Sequence, residues 1–222
     1  LKIKVLYENL AQAFELAQEI LTRSDYTDEK RLYELVAEAR SCKQADMMSA
    51  GHTLAAGRAL SYLSKPAMVL EHINGIPFYQ FLEDLEKNFD DRKESLIRNL
   101  QSVVRYIFRP ENLLVDYTAQ QEGLTGIEPL VKKLKSSLYT DSVAGAGYDP
   151  QPIRKNEGFM TSAQIQYVCR AGNFETKGLP YNGALKVLRV MMGYDYLWTQ
   201  VRVKGGAYGC MCSFGRSGES YF

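Results

Sequence analysis

Apolar residues recur at steps of three and four through the first part of the chain, which is the period of an amphipathic helix. The stripe nearest the N-terminus comprises Leu6, Leu10, Ala13, Phe14, Ala17, Ile20 and Leu21. A second helix is predicted from Thr27, whose hydroxyl can cap it ahead of two acidic residues, and this helix is expected to run toward Tyr62. Residues 1–138 are therefore predicted to be mostly helical.

Proline and glycine divide the rest of this helical region. Pro66 and Pro77 are predicted in the first turns of two further helices, with Asn74-Gly75 as the stop between them. The apolar run 113–118 predicts a buried strand, because it is short and rich in aliphatic side chains. A helix is predicted to follow around residues 130–138.

The hydrophobic period changes after a stretch rich in glycine and proline. Residues 139–158 have little apolar periodicity and are predicted to be a linker. Beyond it, alternation over 163–170 predicts a strand, a helical stripe covers 182–199, and 207–214 predicts another strand. We therefore predict an α+β fold, with a first domain at 1–138, a linker at 139–158 and a second, incomplete domain at 159–222.

Composition excludes several classes of function. The net charge of +1 gives no long-range attraction to nucleic acid or to an anionic membrane, so neither is expected as a partner. No apolar run approaches the ~20 residues that a bilayer requires. Cys42, Cys169, Cys210 and Cys212 provide no disulfide framework, and the spacing of the last two favours packing over zinc binding. We expect a soluble protein of the cytoplasm or an organelle matrix rather than a secreted one.

The strongest candidate site lies near the C-terminus. Arg202 and Tyr208 flank Gly205, Gly206 and Ala207 at a predicted junction of helix and strand. Two glycines permit close approach of the backbone to a ligand, while a guanidinium and a phenol can both donate hydrogen bonds to one oxyanion. The alternative interpretation is an ordinary bulge or turn, with Arg202 and Tyr208 on a sheet surface.

Three runs resemble one enzyme family closely. They are Pro180 to Leu188, Tyr196-Leu197-Trp198, and Val201 to Gly209. They resemble the C-terminal half of the presequence-protease-like branch of the pitrilysin/insulinase family of inverted zinc metallopeptidases. Upstream residues resemble the preceding domain of the same enzymes more diffusely: Gly51-His52, Arg58-Ala59, Glu71, Gly75-Ile76 and Phe81-Leu82.

The resemblance implies both an architecture and a role. It implies two consecutive metallopeptidase-type α/β-sandwich domains here, each an antiparallel sheet with helices on one face, within an enzyme of four related domains whose two halves close around a peptide chamber. The N-terminal half of the same protein would bear the zinc. By motif position, Arg202 and Tyr208 would reach the peptide substrate at the scissile bond, and Gly205, Gly206 and Ala207 would bind substrate.

The chain departs from the family at the zinc motif. His52 and His72 are its two histidines, so it contains no H-x-x-E-H sequence. Met68 occupies the first ligand position of the similar run that ends in Glu71-His72, and a thioether is a poor zinc ligand beside hard donors. No metal is expected within the chain, and zinc is expected elsewhere in the parent enzyme.

Two hypotheses follow. In the first, the chain is a segment of a zinc oligopeptidase that degrades unfolded peptides, inactive alone and contributing contacts to the substrate. In the second, it belongs to a non-catalytic relative that binds peptides or assembles with an active chain. An intact H-x-x-E-H motif upstream would favour the first hypothesis.

Overall fold

The computed structural model describes residues 1–142, 145, 147–162 and 164–222. Within them the chain is mostly helical, at 61%, with one small antiparallel sheet of three strands, which is compatible with the predicted α+β class. Contacts group the chain into two compact units. Unit 1 comprises Leu1–Leu35 and Asn88–Ala146, and unit 2 comprises Val36–Lys87 and Gly147–Phe222.

The regular elements are α-helices, one π-helical segment and short strands. The α-helices are α1 (Leu10–Arg23), α2 (Glu29–Ser49), α3 (Gly51–Ser61), α4 (Lys65–Asn74), α5 (Ile76–Lys87), α6 (Phe89–Ile107), α7 (Ile127–Ser137) and α8 (Ala184–Met191). The π-helical segment Met192–Lys204 continues α8. The strands are β1 (Ala171–Asn173), β2 (Ser213–Phe214) and β3 (Glu219–Tyr221).

The helix boundaries follow local side-chain chemistry. Ser64 caps α4 by accepting a hydrogen bond from the Ala67 amide at 3.4 Å, and Pro66 lies in the first turn as predicted. The predicted start at Thr27 is wrong by two residues, because Asp28 supplies the cap instead, accepting from the Arg31 amide at 2.9 Å. The helix expected to reach Tyr62 is interrupted at Ala50, whose backbone leaves the helical region.

Unit 1 is held together by α1 packed on α7. Ala13 and Ala17 of α1 are buried, as is Leu134 of α7. Small alanine side chains let two helices approach closely, so this pairing follows from the stripe seen in the sequence. Phe89, at the start of α6, is also buried and meets the ring of Tyr33 edge to face, with 5.2 Å between centroids.

Unit 2 combines the packed helices α3, α4 and α5 with the small sheet. The strand order is β1-β3-β2, and both pairings are antiparallel. Mutual hydrogen bonds of 3.0 Å between the amides and carbonyls of Arg170 and Phe222 extend the β1–β3 pairing by one residue. The buried apolar side chains of this unit are Val36, Ala56, Ile76, Leu82, Leu85, Leu197 and Cys212.

The predicted strands are the weakest part of the sequence interpretation. Residues 113–118 alternate between half-buried and exposed, with Leu114 90% exposed, but they form no strand. An extended segment needs a neighbour to complete its backbone hydrogen bonds, and no strand of the described residues pairs with this one. The predicted strands at 163–170 and 207–214 are likewise reduced to β1, just beyond the first, and β2, at the end of the second. Ala163 lies outside the described residues.

The division into 1–138, a linker at 139–158 and 159–222 stays a prediction, and Val143, Ala144 and Ala146 of the linker lie outside the described residues. Tyr148, Asp149 and Glu157 of the same stretch contact helices of unit 2. Among the helices of the described residues, none combines the length and apolar character needed to cross a bilayer.

Candidate functional site

Arg202 lies on the π-helical segment with its guanidinium held from two sides. Its carbon Cζ lies 4.0 Å from the centroid of the Trp198 ring, a close cation–π stack. Its Nε donates a hydrogen bond of 3.1 Å to the carbonyl oxygen of Tyr208. No carboxylate of the described residues pairs with it, so its charge is compensated only by a dipole and an aromatic face. Arg202 is therefore oriented while keeping a net positive charge at the surface.

A tight backbone turn brings Tyr208 back to Arg202. The Gly206 amide donates to the Arg202 carbonyl at 3.0 Å, and the Ala207 amide donates to the Val201 carbonyl at 3.2 Å. Gly206 has φ of +74°, the left-handed region that glycine adopts without strain. A Cβ atom at Gly205 would lie 2.5 Å from the Val201 carbonyl oxygen. Both glycines are thus required by the turn itself.

The structure brings together some of the predicted site residues but not all of their reactive groups. Arg202 meets the backbone of Tyr208, whereas the Tyr208 side chain is 93% exposed. Ala207 is half-buried, and Gly205 and Gly206 are exposed. The arrangement presents a fixed guanidinium and a solvent-facing phenol on one turn. Chemically, these are two hydrogen-bond donors available to a ligand.

The residues described provide no group of three or more His, Cys, Asp and Glu side chains able to hold a metal ion. Glu71 is buried and accepts from the Ile76 amide at 3.2 Å, while the Nδ1 atom of His72 lies 2.7 Å from the Tyr148 hydroxyl. Cys212 is buried, and burial raises the pKa of its thiol. The described side chains do not fit a zinc site.

A second charged cluster surrounds Arg58 on α3. Its Nη2 lies 2.7 Å from Glu157 Oε2, and its Nη1 lies 3.7 Å from Glu71 Oε1. Tyr62, one turn along α3, receives a hydrogen bond of 2.9 Å from Arg58 Nε and donates to Glu157. The rings of Tyr62 and Phe159 lie 5.3 and 5.6 Å from the guanidinium. Arg58 is thus enclosed by two carboxylates and two aromatic rings.

The two carboxyl groups on Arg58 have pKa shifts of opposite sign. Burial raises the pKa of Glu71, against the opposing hydrogen bond from the Ile76 amide and the charge of Arg58. The pKa of Glu157 is lowered by its hydrogen bond from Tyr62 and by Arg58. Burial, together with that hydrogen bond, raises the pKa of Tyr62 to about 12. Glu157 is therefore the stronger counter-ion of Arg58.

Sequence reasoning missed this cluster and the role of Trp198. Arg58 and Tyr62 stand four residues apart on a predicted helix, a spacing that signals contact, and Trp198 stands four residues before Arg202. Glu157 carried no such signal, since it lies 99 residues from Arg58 in the chain.

Two family models match the chain. Residues 1–85 match the model of the region associated with peptidases of family M16, subfamily C, and residues 156–222 match the PreP C-terminal domain. The matched ranges contain the Arg58 cluster and the Arg202 turn, respectively.

Curated proteins match along nearly the whole chain. Protein HypA of Clostridium perfringens is 35% identical over 98% of this chain and 22% of its own length. Presequence protease 1, chloroplastic/mitochondrial, of Arabidopsis thaliana is 29% identical over 90% of this chain and 19% of its own length. The mitochondrial presequence protease of Saccharomyces cerevisiae is 24% identical over 90% of this chain and 21% of its own length. The chain thus spans about a fifth of the length of these curated relatives.

Proposed function

Because this chain belongs to the presequence-protease family of peptidases, we propose that it is the segment of a zinc-dependent oligopeptidase that contacts the peptide substrate. In this proposal Arg202 and Tyr208 reach the substrate at the scissile bond, and the turn Gly205, Gly206 and Ala207 lies against the peptide. The zinc ion is held by the N-terminal half of the parent protein, outside this chain. The two halves enclose unfolded peptides in a chamber, and this segment contributes to two consecutive α/β-sandwich domains.

One observation carries the proposal: Arg202 is oriented without being neutralised. The Trp198 ring and the Tyr208 carbonyl fix its guanidinium, and no carboxylate of the described residues takes its charge. A cation held in this way loses little conformational freedom when it meets a negatively charged oxygen. Arg202 therefore suits a group on which negative charge develops during reaction.

The proposed chemistry is the stabilisation of an oxyanion. When a peptide carbonyl carbon is attacked, its oxygen gains negative charge, and donors already in place stabilise that charge without reorganising. The Arg202 guanidinium and the exposed Tyr208 phenol are two such donors. Tyr208 reaches the substrate from a turn whose backbone is anchored to Arg202, so the two groups move together.

The test uses the full-length parent protein with Arg202→Ala and Tyr208→Phe. Each change is expected to lower kcat/KM for peptide hydrolysis by roughly 100-fold, as for the loss of one oxyanion donor. Zinc content and melting temperature are expected to stay at wild-type values. Arg189→Ala and Tyr194→Phe are matched controls, since both side chains are exposed on the helix that precedes the turn.

The outcomes separate the hypotheses. Wild-type turnover in both variants would show that the assignment of Arg202 and Tyr208 is wrong. Peptide binding without any hydrolysis by the zinc-loaded wild-type protein would instead support a non-catalytic peptide-binding relative.

A further inference from the structure

Unit 2 contains a cavity of about 1310 Å³ next to the Arg58 cluster. Helix α3 and residues 154–177 form most of its wall. The lining combines the Arg58 guanidinium with apolar and aromatic side chains, among them Leu54, Phe159 and Tyr167. Ligand sites characteristically join mostly apolar walls to a few polar anchors, and this volume is sufficient for several residues of a peptide.

The two carboxylates on Arg58 are held very differently. Glu71 lies on α4, is buried, and is fixed by the Ile76 amide, so it is a permanent part of the cavity wall. Glu157 lies in a segment without helix or strand, and its side chain is 24% exposed. Glu157 nevertheless makes the shorter contact with Arg58, 2.7 Å against 3.7 Å for Glu71. The carboxylate that binds Arg58 more closely is therefore the one that is free to leave.

We propose that Arg58 and Tyr62 form a binding site for a peptide carboxylate in this cavity, and that Glu157 occupies the site when no ligand is bound. Only the choice of a peptide as the carrier of the carboxylate rests on the proposed function. This site is separate from the Arg202 turn and takes no part in bond cleavage.

The geometry suits a carboxylate for two reasons. Arg58 offers a planar fork of N–H donors, held in orientation by the rings of Tyr62 and Phe159, and Tyr62 adds a hydroxyl donor beside it. A ligand carboxylate that replaces Glu157 also restores the same charge on Arg58, so no buried cation is left without a partner. The internal carboxylate lowers apparent affinity by the fraction of time that it fills the site.

The test measures peptide binding to the chain by isothermal titration calorimetry, in a buffer free of carboxylates. Three short peptides of the same apolar sequence are compared: one with a free C-terminus, one amidated, and one amidated with a single internal Glu. Glu157→Ala is expected to bind at least one carboxylate peptide about tenfold more tightly than wild type does, because the competing carboxylate is gone. The fully amidated peptide is expected to gain nothing.

Two variants locate the effect. Asp149→Ala is the matched control, because Asp149 pairs with Lys65 at 2.6 Å from the same irregular stretch but does not line the cavity. It is expected to leave all three affinities unchanged. Arg58→Lys in the Glu157→Ala background keeps the charge but removes the fork, and it is expected to reverse most of the gain.

The peptide set also identifies the source of the carboxylate. Preference for the free C-terminus indicates recognition of a peptide end, and preference for the internal Glu indicates recognition of an acidic side chain. Equal binding of the carboxylate and fully amidated peptides by a folded Glu157→Ala protein would overturn the proposal. Since the measurement involves no hydrolysis, its result is independent of whether Arg202 and Tyr208 act in catalysis.

Discussion

Arg58 and Arg202 are both stacked on aromatic rings, yet they are compensated in opposite ways. Arg58 contacts two carboxylates, and its side chain is only 18% exposed. Arg202 is exposed, and its hydrogen bond goes to a backbone carbonyl. An arginine with ionic partners contributes to the stability of the fold, whereas one held by a neutral carbonyl retains charge for a ligand.

The comparison also separates what each site requires from the chain. The Arg58 cluster depends on charge, since its members come from α3, α4 and a distant irregular segment. The Arg202 turn depends on backbone conformation, since Gly205 and Gly206 let the chain return within four residues. Substitutions of charge and substitutions of backbone freedom should therefore affect the two sites differently.

The largest expected difference is in stability. Arg58→Ala is expected to lower the free energy of unfolding by about 3 kcal/mol, because it leaves Glu71 buried without its cation. Arg202→Ala is expected to cost about 0.5 kcal/mol, the loss of an exposed stack on Trp198. Urea unfolding of both variants measures the difference.

A double substitution checks the cause of this first effect. Adding Glu71→Gln to Arg58→Ala is expected to recover part of the lost stability, since a neutral side chain is then buried instead of an unpaired charge. Equal losses for Arg58→Ala and Arg202→Ala would contradict the contrast between the two arginines.

A smaller effect is expected from the glycine turn. Gly206→Ala is expected to lower the free energy of unfolding by about 1 kcal/mol, because alanine is strained at φ of +74°. Gly183→Ala is the matched control: its φ of −61° suits alanine, and no atom lies within 4 Å of the added Cβ. Thermal unfolding of the two variants should show a loss only for Gly206→Ala, and equal melting temperatures would show that the turn tolerates a side chain.

The sequence predicted the helices better than the sheet for a physical reason. Helix signals are local: the apolar stripe of α1 and the first-turn position of Pro66 each lie within a few residues of the element they define. A strand depends on a partner that is distant in the chain, as with β1 and β3, where Gly172 pairs with Ser220. Residues 113–118 have the accessibility pattern of a strand but no partner among the described residues.

The same distinction applies to the two sites. The Arg202 turn lies within one short run, so its residues could be selected from the sequence. Its hydrogen bond to the Tyr208 backbone, rather than to the phenol, could not, because both groups lie on the same residue. The Arg58 cluster was inaccessible to local reasoning, since Glu157 reaches it from a segment predicted to be a linker.

The smallest expected effect is a pH dependence with two opposite signs at one arginine. Burial raises the pKa of folded Glu71 above its ordinary value of 4.5, so its contribution to stability is complete below that value and is lost as the pH rises toward the folded pKa. The pKa of folded Glu157 lies below 4.5, so its contribution is present above that value and is lost as the pH falls. The stability of wild type relative to Glu71→Gln should therefore fall as the pH rises above 4.5. Relative to Glu157→Gln it should fall as the pH drops below 4.5.

Urea unfolding of the three proteins across this range measures both slopes. Slopes of the same sign would mean that Arg58 does not treat its two carboxylates differently, and the distinction between a fixed and an exchangeable partner would fail with them. Slopes of opposite sign would assign Glu71 to the wall of the site and Glu157 to its occupant, since only the carboxylate that gains from ionisation competes with a ligand carboxylate for Arg58.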